Sequence, residues 1–418
     1  MTQTSNGRSY NYGYTGLKIS PYASMRGLFY EPQVPEIVYT LDRIFIGWDR
    51  LTDKEVYIKN DKALRIFISA RTGDGKTYLM NAIRSQVHVA GAYCISPTDV
   101  KPDTYANNKP IQKFLERLRE GEKPRAVPTI TYLPVFLMKE YKTGIPEFNH
   151  IFQFSYKDVS ERALAQLLGI GDKGTTQKNI VSMLHNKMRS GQISDFNDIY
   201  DFINELELHP QTKKSINLAI GKLQENRVLG HRYYEDVIFA LKEGFAISLN
   251  LLYHKKFVGN GFPESYVNIF CSKITDALNS GELDKRNSTF FFIDEAHDFC
   301  PADVNLSSKD KILELINMYR DRGVRLVMAS QYPQQIPNKG PDDILGQMSH
   351  FFISKTATPE NRKYLLTQAD LYRFGDMQRN KWPKIFAKMK KYDWLLIDVR
   401  EKSYKIVRLA SPLCAHKT

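Results

Sequence analysis

The chain is poor in cysteine. Its 418 residues hold four, Cys94, Cys271, Cys300 and Cys414, far apart and with no C-x-x-C pair or Cys/His ligand spacing. This excludes a disulfide scaffold, argues against a zinc site, and suits buried thiols in a reducing compartment. No apolar run reaches the roughly 18 residues of a membrane span. The polar start "MTQTSNGRSYNYGY" has no signal-peptide core, so a cytoplasmic location with no integral membrane segment is expected. Low-complexity tracts are also missing, and 42% hydrophobic and 12% aromatic residues exclude the disordered and fibrous classes. Acidic residues are in deficit, 46 against 59 Lys and Arg, for a net charge of +13. That balance favours an anionic polymer as partner, nucleic acid before an anionic membrane surface, although solubility alone also accounts for a basic enzyme.

What is present reads as an α/β protein. Residues 1–36 begin with a Ser-, Gly-, Asn- and Tyr-rich stretch without periodicity and are expected to form a flexible arm. Residues 37–63 carry short β-type runs around the turn-like "WDRLTDKE", suggesting a small β element. "LRIFISA" followed by a glycine turn and "KTYLMNAIRSQVHVAG", with Leu79, Ile83 and Val87 at helical spacing, gives strand, loop and helix. Later apolar runs of strand length, "GFAISLNLL", "STFFFIDEA", "VRLVMASQ" and "SHFFISK", alternate with helical segments. Such a pattern implies a mainly parallel sheet buried on both faces. The expected core therefore comprises residues 64–104 and 244–410, interrupted by a mainly α-helical insertion over 105–243 and followed by a tail over 411–418. "DWLLIDVREKSYKIVRLA" reads as a hairpin turning near Glu401 to Ser403.

Three segments carry chemistry. The first is "SARTGDGKT", Ser69 to Thr77. A phosphate-binding loop needs backbone N–H groups at a helix N-terminus, a cation for the terminal phosphates and a hydroxyl for Mg²⁺; Gly73, Gly75, Lys76 and Thr77 can supply these. Ala70 stands where the usual pattern has its first glycine, tolerable if its φ is ordinary. Asp74 would repel a triphosphate unless its side chain points out of the cradle, so outward projection is expected. The full ATP-contact set from this stretch is Thr72, Gly73, Asp74, Gly75, Lys76, Thr77 and Tyr78. The second segment is "FFFIDEAHDF", with Asp294 and Glu295 at the C-terminal end of a strand, the edge where open α/β sheets bind ligands. Asp294 is placed to hold Mg²⁺ with Thr77, and Glu295 to act as general base; alone, the pair could equally be a strand ending at solvent. In the third, "VRLVMASQYPQQIP", the strand ends on Gln331, an amide able to sense the γ-phosphate. Arg320 and Arg322 precede it. Either could stabilise transition-state charge in a neighbouring subunit or pair at the surface with Asp321 or Glu314, the latter being the expectation for Arg322.

Taken in order, "IFIGWDRLTDKEVYI", "IFISARTGDGKT", "FFFIDEAHDF", "YRDRGVRLVMASQYPQQIP" and "DDILGQMSHFFISKTATPENRKYLL" resemble the HerA/FtsK superfamily of ring-forming P-loop ATPases, nearest to its HerA-like archaeal and conjugative or viral branches. The resemblance covers residues 40–100 and 240–410. It implies a RecA-like core and an ATP- and Mg²⁺-dependent translocase of helicase type, a hexameric homo-oligomer with double-stranded DNA in its channel, with a nuclease or other DNA-processing partner. On that footing Lys76 and Thr77 match the Walker A pair, Asp294 and Glu295 the Walker B pair, Gln331 the sensor, Arg320 the arginine finger, and Arg362 a second Arg near the nucleotide. Lys384, Lys388, Lys390 and Lys391 are candidates for the channel, and a solvated helix face explains them almost as well. Two other readings stand beside it: a secretion or pilus assembly ATPase acting on protein, and a nucleotide-binding subunit without hydrolysis.

Overall fold

The computed structural model describes residues 37, 39–101, 104–170, 175–257, 261–337, 340, 343–369, 381–390 and 392–415. The arm expected over 1–36 lies outside the described residues.

Among the described residues twelve strands form one sheet: β1 (Arg43–Asp49), β2 (Glu55–Lys59), β3 (Arg65–Ser69), β4 (Tyr93–Asp99), β5 (Thr129–Pro134), β6 (Asn149–Phe152), β7 (Ala246–Asn250), β8 (Thr289–Ile293), β9 (Val324–Ser330), β10 (His350–Ser354), β11 (Asp393–Asp398) and β12 (Ser403–Leu409). Their order is β2-β1-β12-β11-β10-β3-β9-β8-β4-β7-β5-β6. From β10 through β6 all neighbours are parallel. From β10 back to β2 they are antiparallel. The expected mainly parallel RecA-like sheet is therefore present, with an antiparallel wing on one side.

Alternate residues of the parallel strands enter opposite layers, as a strand's two-residue period requires. Ile66, Ile68, Phe290, Phe292 and Phe352 pack on one face. Phe67, Phe291, Ile293, Phe351 and Ile353 pack on the other. The first face is covered by α1 (Lys76–Val89), through Leu79, Ile83 and Val87. After α1 come α2 (Glu161–Leu167), α3 (Thr175–Ser190), α4 (Phe196–Glu205), α5 (Pro210–Glu225), α6 (Val237–Lys242), α7 (Phe262–Ser280), the short α8 (Ala296–Phe299), α9 (Ser307–Met318), α10 (Pro359–Gln368) and α11 (Lys381–Lys388). Tyr266, Phe270 and Ile274 of α7 and Ile312 and Ile316 of α9 pack on the second face. No described helix is long and apolar enough to cross a membrane, and all four cysteines are free and buried.

Three expected boundaries need correction. Segment 105–243 is helical over α2 to α6, yet it also supplies β5 and β6, which extend the central sheet beyond β7. All six residues of β5, "TITYLP", are buried; so short a run between proline-bearing loops gives little periodicity to read. The β element of 37–63 is continuous with the core, because β1 pairs with β12. That pairing demands close backbone approach: Gly47 has φ 147°, and a Cβ there would lie 2.0 Å from the Arg408 carbonyl oxygen. Residues 411–415 are no loose tail. Leu413 and Cys414 are fully buried, and Ile111 N–H donates to the Leu413 carbonyl at 3.1 Å.

Candidate nucleotide site

The loop between β3 and α1 opens at the C-terminal edge of the parallel strands. Gly73 and Gly75 take φ of 85° and 93°, the left-handed region that suits glycine. Around Gly73 a Cβ would meet no atom within 4 Å, so the backbone faces open space on that side. Gly75 is the N-cap residue of α1, leaving first-turn N–H groups directed outward. Ala70 is buried and keeps an ordinary φ. Its methyl group therefore brings none of the strain that a left-handed position would impose. The Asp74 carboxylate accepts a hydrogen bond from the Thr356 hydroxyl just beyond β10, and Thr356 Oγ1 in turn lies 2.8 Å from Ser354 Oγ. Asp74 is thus turned toward the β10 side of the loop.

Lys76 is 4% exposed. Its Nζ lies 3.1 Å and 3.2 Å from the two carboxylate oxygens of Glu295, beyond the end of β8. Parallel order β3-β9-β8-β4 makes this meeting possible across 219 residues of sequence. Glu295 is itself left-handed, with φ 43° and ψ 49°. Its N–H donates to Asp294 Oδ1 at 2.9 Å, and the Asp294 carbonyl accepts from Thr98 Oγ1 of β4 at 3.0 Å. A second lysine, Lys101, places its Nζ 3.1 Å from Glu295 Oε1. Burial alone would raise the pKa of Glu295, but Lys76 and Lys101 hold it below the usual carboxylate range. Asp294 goes the other way, pushed up to about 6 by burial and by the adjacent Glu295 charge. Thr77 and Asp294 line one small cleft with Met80, Arg84, Asp99, Lys101 and Phe292 among others.

Gln331 follows β9 and accepts from Thr72 Oγ1 at 3.1 Å, while its carbonyl accepts from Asn361 Nδ2 of α10 at 2.9 Å. Thr72, Lys76, Glu295 and Gln331 are therefore brought together. Others are not. The Tyr78 ring turns into an aromatic cluster with Phe114 and Tyr392, at centroid distances of 6.1 Å and 6.2 Å. Arg362 donates to the Lys355 carbonyl and lies 4.4 Å above the Phe386 ring of α11, while burial, helped by the nearby Arg71 charge of the loop, lowers its pKa. Arg320 is exposed at the N-terminal end of β9, a strand's length, about 23 Å, from the edge that bears the loop. Arg322 donates to Asn279; Asp321 and Glu314, its expected partners, pair with Lys62 and Lys311 at 3.7 Å and 3.0 Å. Lys384, Lys388 and Lys390 are exposed around α11, and Lys391 lies outside the described residues.

Two residues escaped the sequence reading. Lys101 belongs to no motif, and only the adjacency of β4 and β8 brings it to Glu295. His297 sits 3.7 Å from Glu295 Oε2 and 3.1 Å from Ser330 Oγ at the end of β9. It bridges the acid pair and the Gln331 strand. Its place two residues after Glu295 was the signal that could have found it.

Neither a family model nor a curated protein sequence matches the chain. Solved structures do. VirB4 of Thermoanaerobacter pseudethanolicus is similar over 88% of this chain and 96% of its own, at 10% identity and a TM-score of 0.57. The plasmid coupling protein TrwB, in complex with the non-hydrolysable GTP analogue GDPNP, is similar over 93% of this chain and 99% of its own, at 12% identity and a TM-score of 0.52. A second TrwB structure, of the bacterial conjugative coupling protein TrwBdeltaN70, covers 93% of this chain and 91% of its own, at 11% identity and a TM-score of 0.52. With its parallel core, and with the glycine loop and the acids that follow β8 at the same sheet edge, the chain shares the RecA-like fold of VirB4 and the coupling protein TrwB.

Proposed function

We propose that the chain is an ATP-hydrolysing ring motor that translocates double-stranded DNA. The observation that carries the nucleotide reading is the buried Lys76–Glu295 pair at the mouth of the loop. A lysine that reaches terminal phosphates and a carboxylate that handles the attacking water must share one small volume, and here they touch. The residues also fit the ligand: two left-handed glycines, an unobstructed Gly73 and a helix N-terminus form an anion cradle. Thr77 and Asp294 line one cleft and would hold Mg²⁺, which when bound neutralises charge on the β- and γ-phosphates.

In this reading Lys76 leaves Glu295 for the phosphates, and Glu295 takes a proton from a water that attacks the terminal phosphorus as the bond to the ADP oxygen breaks. Gln331, held between Thr72 and Asn361, reports the change to α10. Arg320 is too far to serve its own site, so its role as a finger requires a neighbouring copy in a closed ring, expected to be hexameric. DNA as substrate is supported by the net charge of +13 and by a fold shared with a plasmid coupling protein. A DNA-processing partner such as a nuclease, and a cytoplasmic setting, complete the proposal.

The test is ATP turnover with and without duplex DNA at low salt. Stimulation that falls steeply with salt is expected; a protein with neither stimulation nor salt-sensitive DNA binding would instead support an assembly ATPase acting on protein. Glu295→Gln is expected to bind ATP while losing about 10²- to 10⁴-fold in turnover. Parent-like turnover would sink the general-base assignment.

A further inference from the structure

The cation environment of Glu295 contains one lysine more than the phosphate loop provides. We propose that Lys101 is a positioning residue for Glu295, the cation that keeps this carboxylate in place when Lys76 moves to the nucleotide. The inference rests on the reading of Glu295 as general base.

Lys76 and Lys101 both reach Oε1 of Glu295 at 3.1 Å. They differ in where they come from. Lys76 starts α1 and belongs to the phosphate cradle, so a bound triphosphate draws its Nζ away from the carboxylate. Glu295, only 5% exposed and on a left-handed backbone, would then be a buried anion stripped of one of its two lysine counter-charges, a costly state if nothing else holds it. Lys101 follows β4, on the far side of β8 from β3. Nothing in the loop's rearrangement requires it to move.

The geometry ties Lys101 to its target. β4 and β8 pair in register from Tyr93 with Thr289 to Ile95 with Phe291, and Thr98 Oγ1 holds the Asp294 carbonyl at 3.0 Å. The β4 end and the turn carrying Glu295 are therefore one unit. The Lys101 side chain is 37% exposed against 3% for Lys76, which leaves its Nζ room to follow the carboxylate. His297 faces the other oxygen, Oε2, at 3.7 Å. Lys101 thus fixes Oε1 alone, and that is what a positioning contact requires.

The experiment compares Lys101→Met, Lys101→Gln and Lys101→Arg in the full chain, each checked for parent-like circular dichroism. Turnover (kcat) is read beside KM, and beside the equilibrium Kd of a fluorescent ATP analogue. The expected result is a fall in kcat of about tenfold or more for Met and Gln, KM and Kd within twofold, and recovery of most of the loss by Arg. In a Glu295→Gln background, Lys101→Met is expected to cost nothing further. Parent-like kcat in both neutral variants would overturn the proposal, as would a Kd that rises in step with the loss, which would make Lys101 a phosphate ligand. A Glu295→Gln protein with parent turnover would instead remove the general base itself, so the two failures are distinguishable.

Discussion

Asp74 shows how one carboxylate can sit inside a phosphate-binding motif. Its acceptor atom is occupied by the Thr356 hydroxyl, which turns the charge toward β10. Asp74→Asn keeps an acceptor for Thr356, so the Kd for ATP is expected to change by less than about threefold, the 0.5 kcal/mol scale of a surface substitution; isothermal titration checks it, and a tenfold tightening would mean that the carboxylate faces the phosphates. Like-charge repulsion gave the reason to expect Asp74 turned aside, while its actual partner, Thr356 beyond β10, could not be read from the loop. Asp294, Glu295 and Gln331 were legible for a related reason: each ends an apolar run that must be a buried strand. Lys101 was not, and His297 only by its place two residues after Glu295. Glu295, the partner of Lys101, and Ser330, the second partner of His297, lie on other strand ends, and no spacing in the chain encodes β4 beside β8. For Tyr78 and Arg362, motif position fixes a backbone site while local aromatic packing decides where the side chain goes, and that packing is not written in the motif.

At the scale of elements, the hairpin β11–β12 was foreseen and the strands β5 and β6 were not. An alternating run with a polar turn announces itself, whereas six buried residues inside a helical stretch do not. The hairpin turn is held by Asp398, whose Oδ1 accepts from Arg400 and Glu401 N–H at 3.0 Å each and whose Oδ2 lies 3.4 Å from His350 Nε2. Burial alone would raise its pKa, but His350 and the two N–H groups draw it down to about 2. The native state therefore binds this proton more weakly than the unfolded chain, where Asp ionises near pH 4. Its stabilisation is complete above about pH 4 and is lost as pH falls toward 2. Asp398→Asn is expected to lower stability at neutral pH and to flatten this acid limb in denaturant melts. Gly47→Ala forces a methyl group onto the Arg408 carbonyl and is expected to cost about 3 kcal/mol or more, by the overpacking and backbone-strain routes. A parent-like urea midpoint would show that β1 can detach from β12 without penalty.

For the whole molecule, a single array of twelve strands means that the segment 105–243 is part of the core it interrupts. Excising it would leave β7, all five of whose residues are buried, as an unprotected apolar edge, and an aggregating product is expected by light scattering. Arg320 tests the assembly: Arg320→Ala is expected to lose about 10³-fold or more in turnover with nucleotide binding intact. Mixing it with Lys76→Ala subunits should restore part of the activity, because a neighbour then supplies the missing guanidinium. Equal loss in the mixture would place the role of Arg320 within its own subunit. The position of β3 between β9 and β10 has a last consequence. Asp74 fastens the phosphate loop to the end of β10 through Thr356, and Thr72 fastens it to the end of β9 through Gln331. The loop is a crossbar between two strands that never touch, and Asn361 of α10 closes the circuit onto the Gln331 carbonyl. A shift of the loop would pull on both strand ends at once, so nucleotide binding, as proposed, would be felt in the C-terminal third of the chain through these few hydrogen bonds.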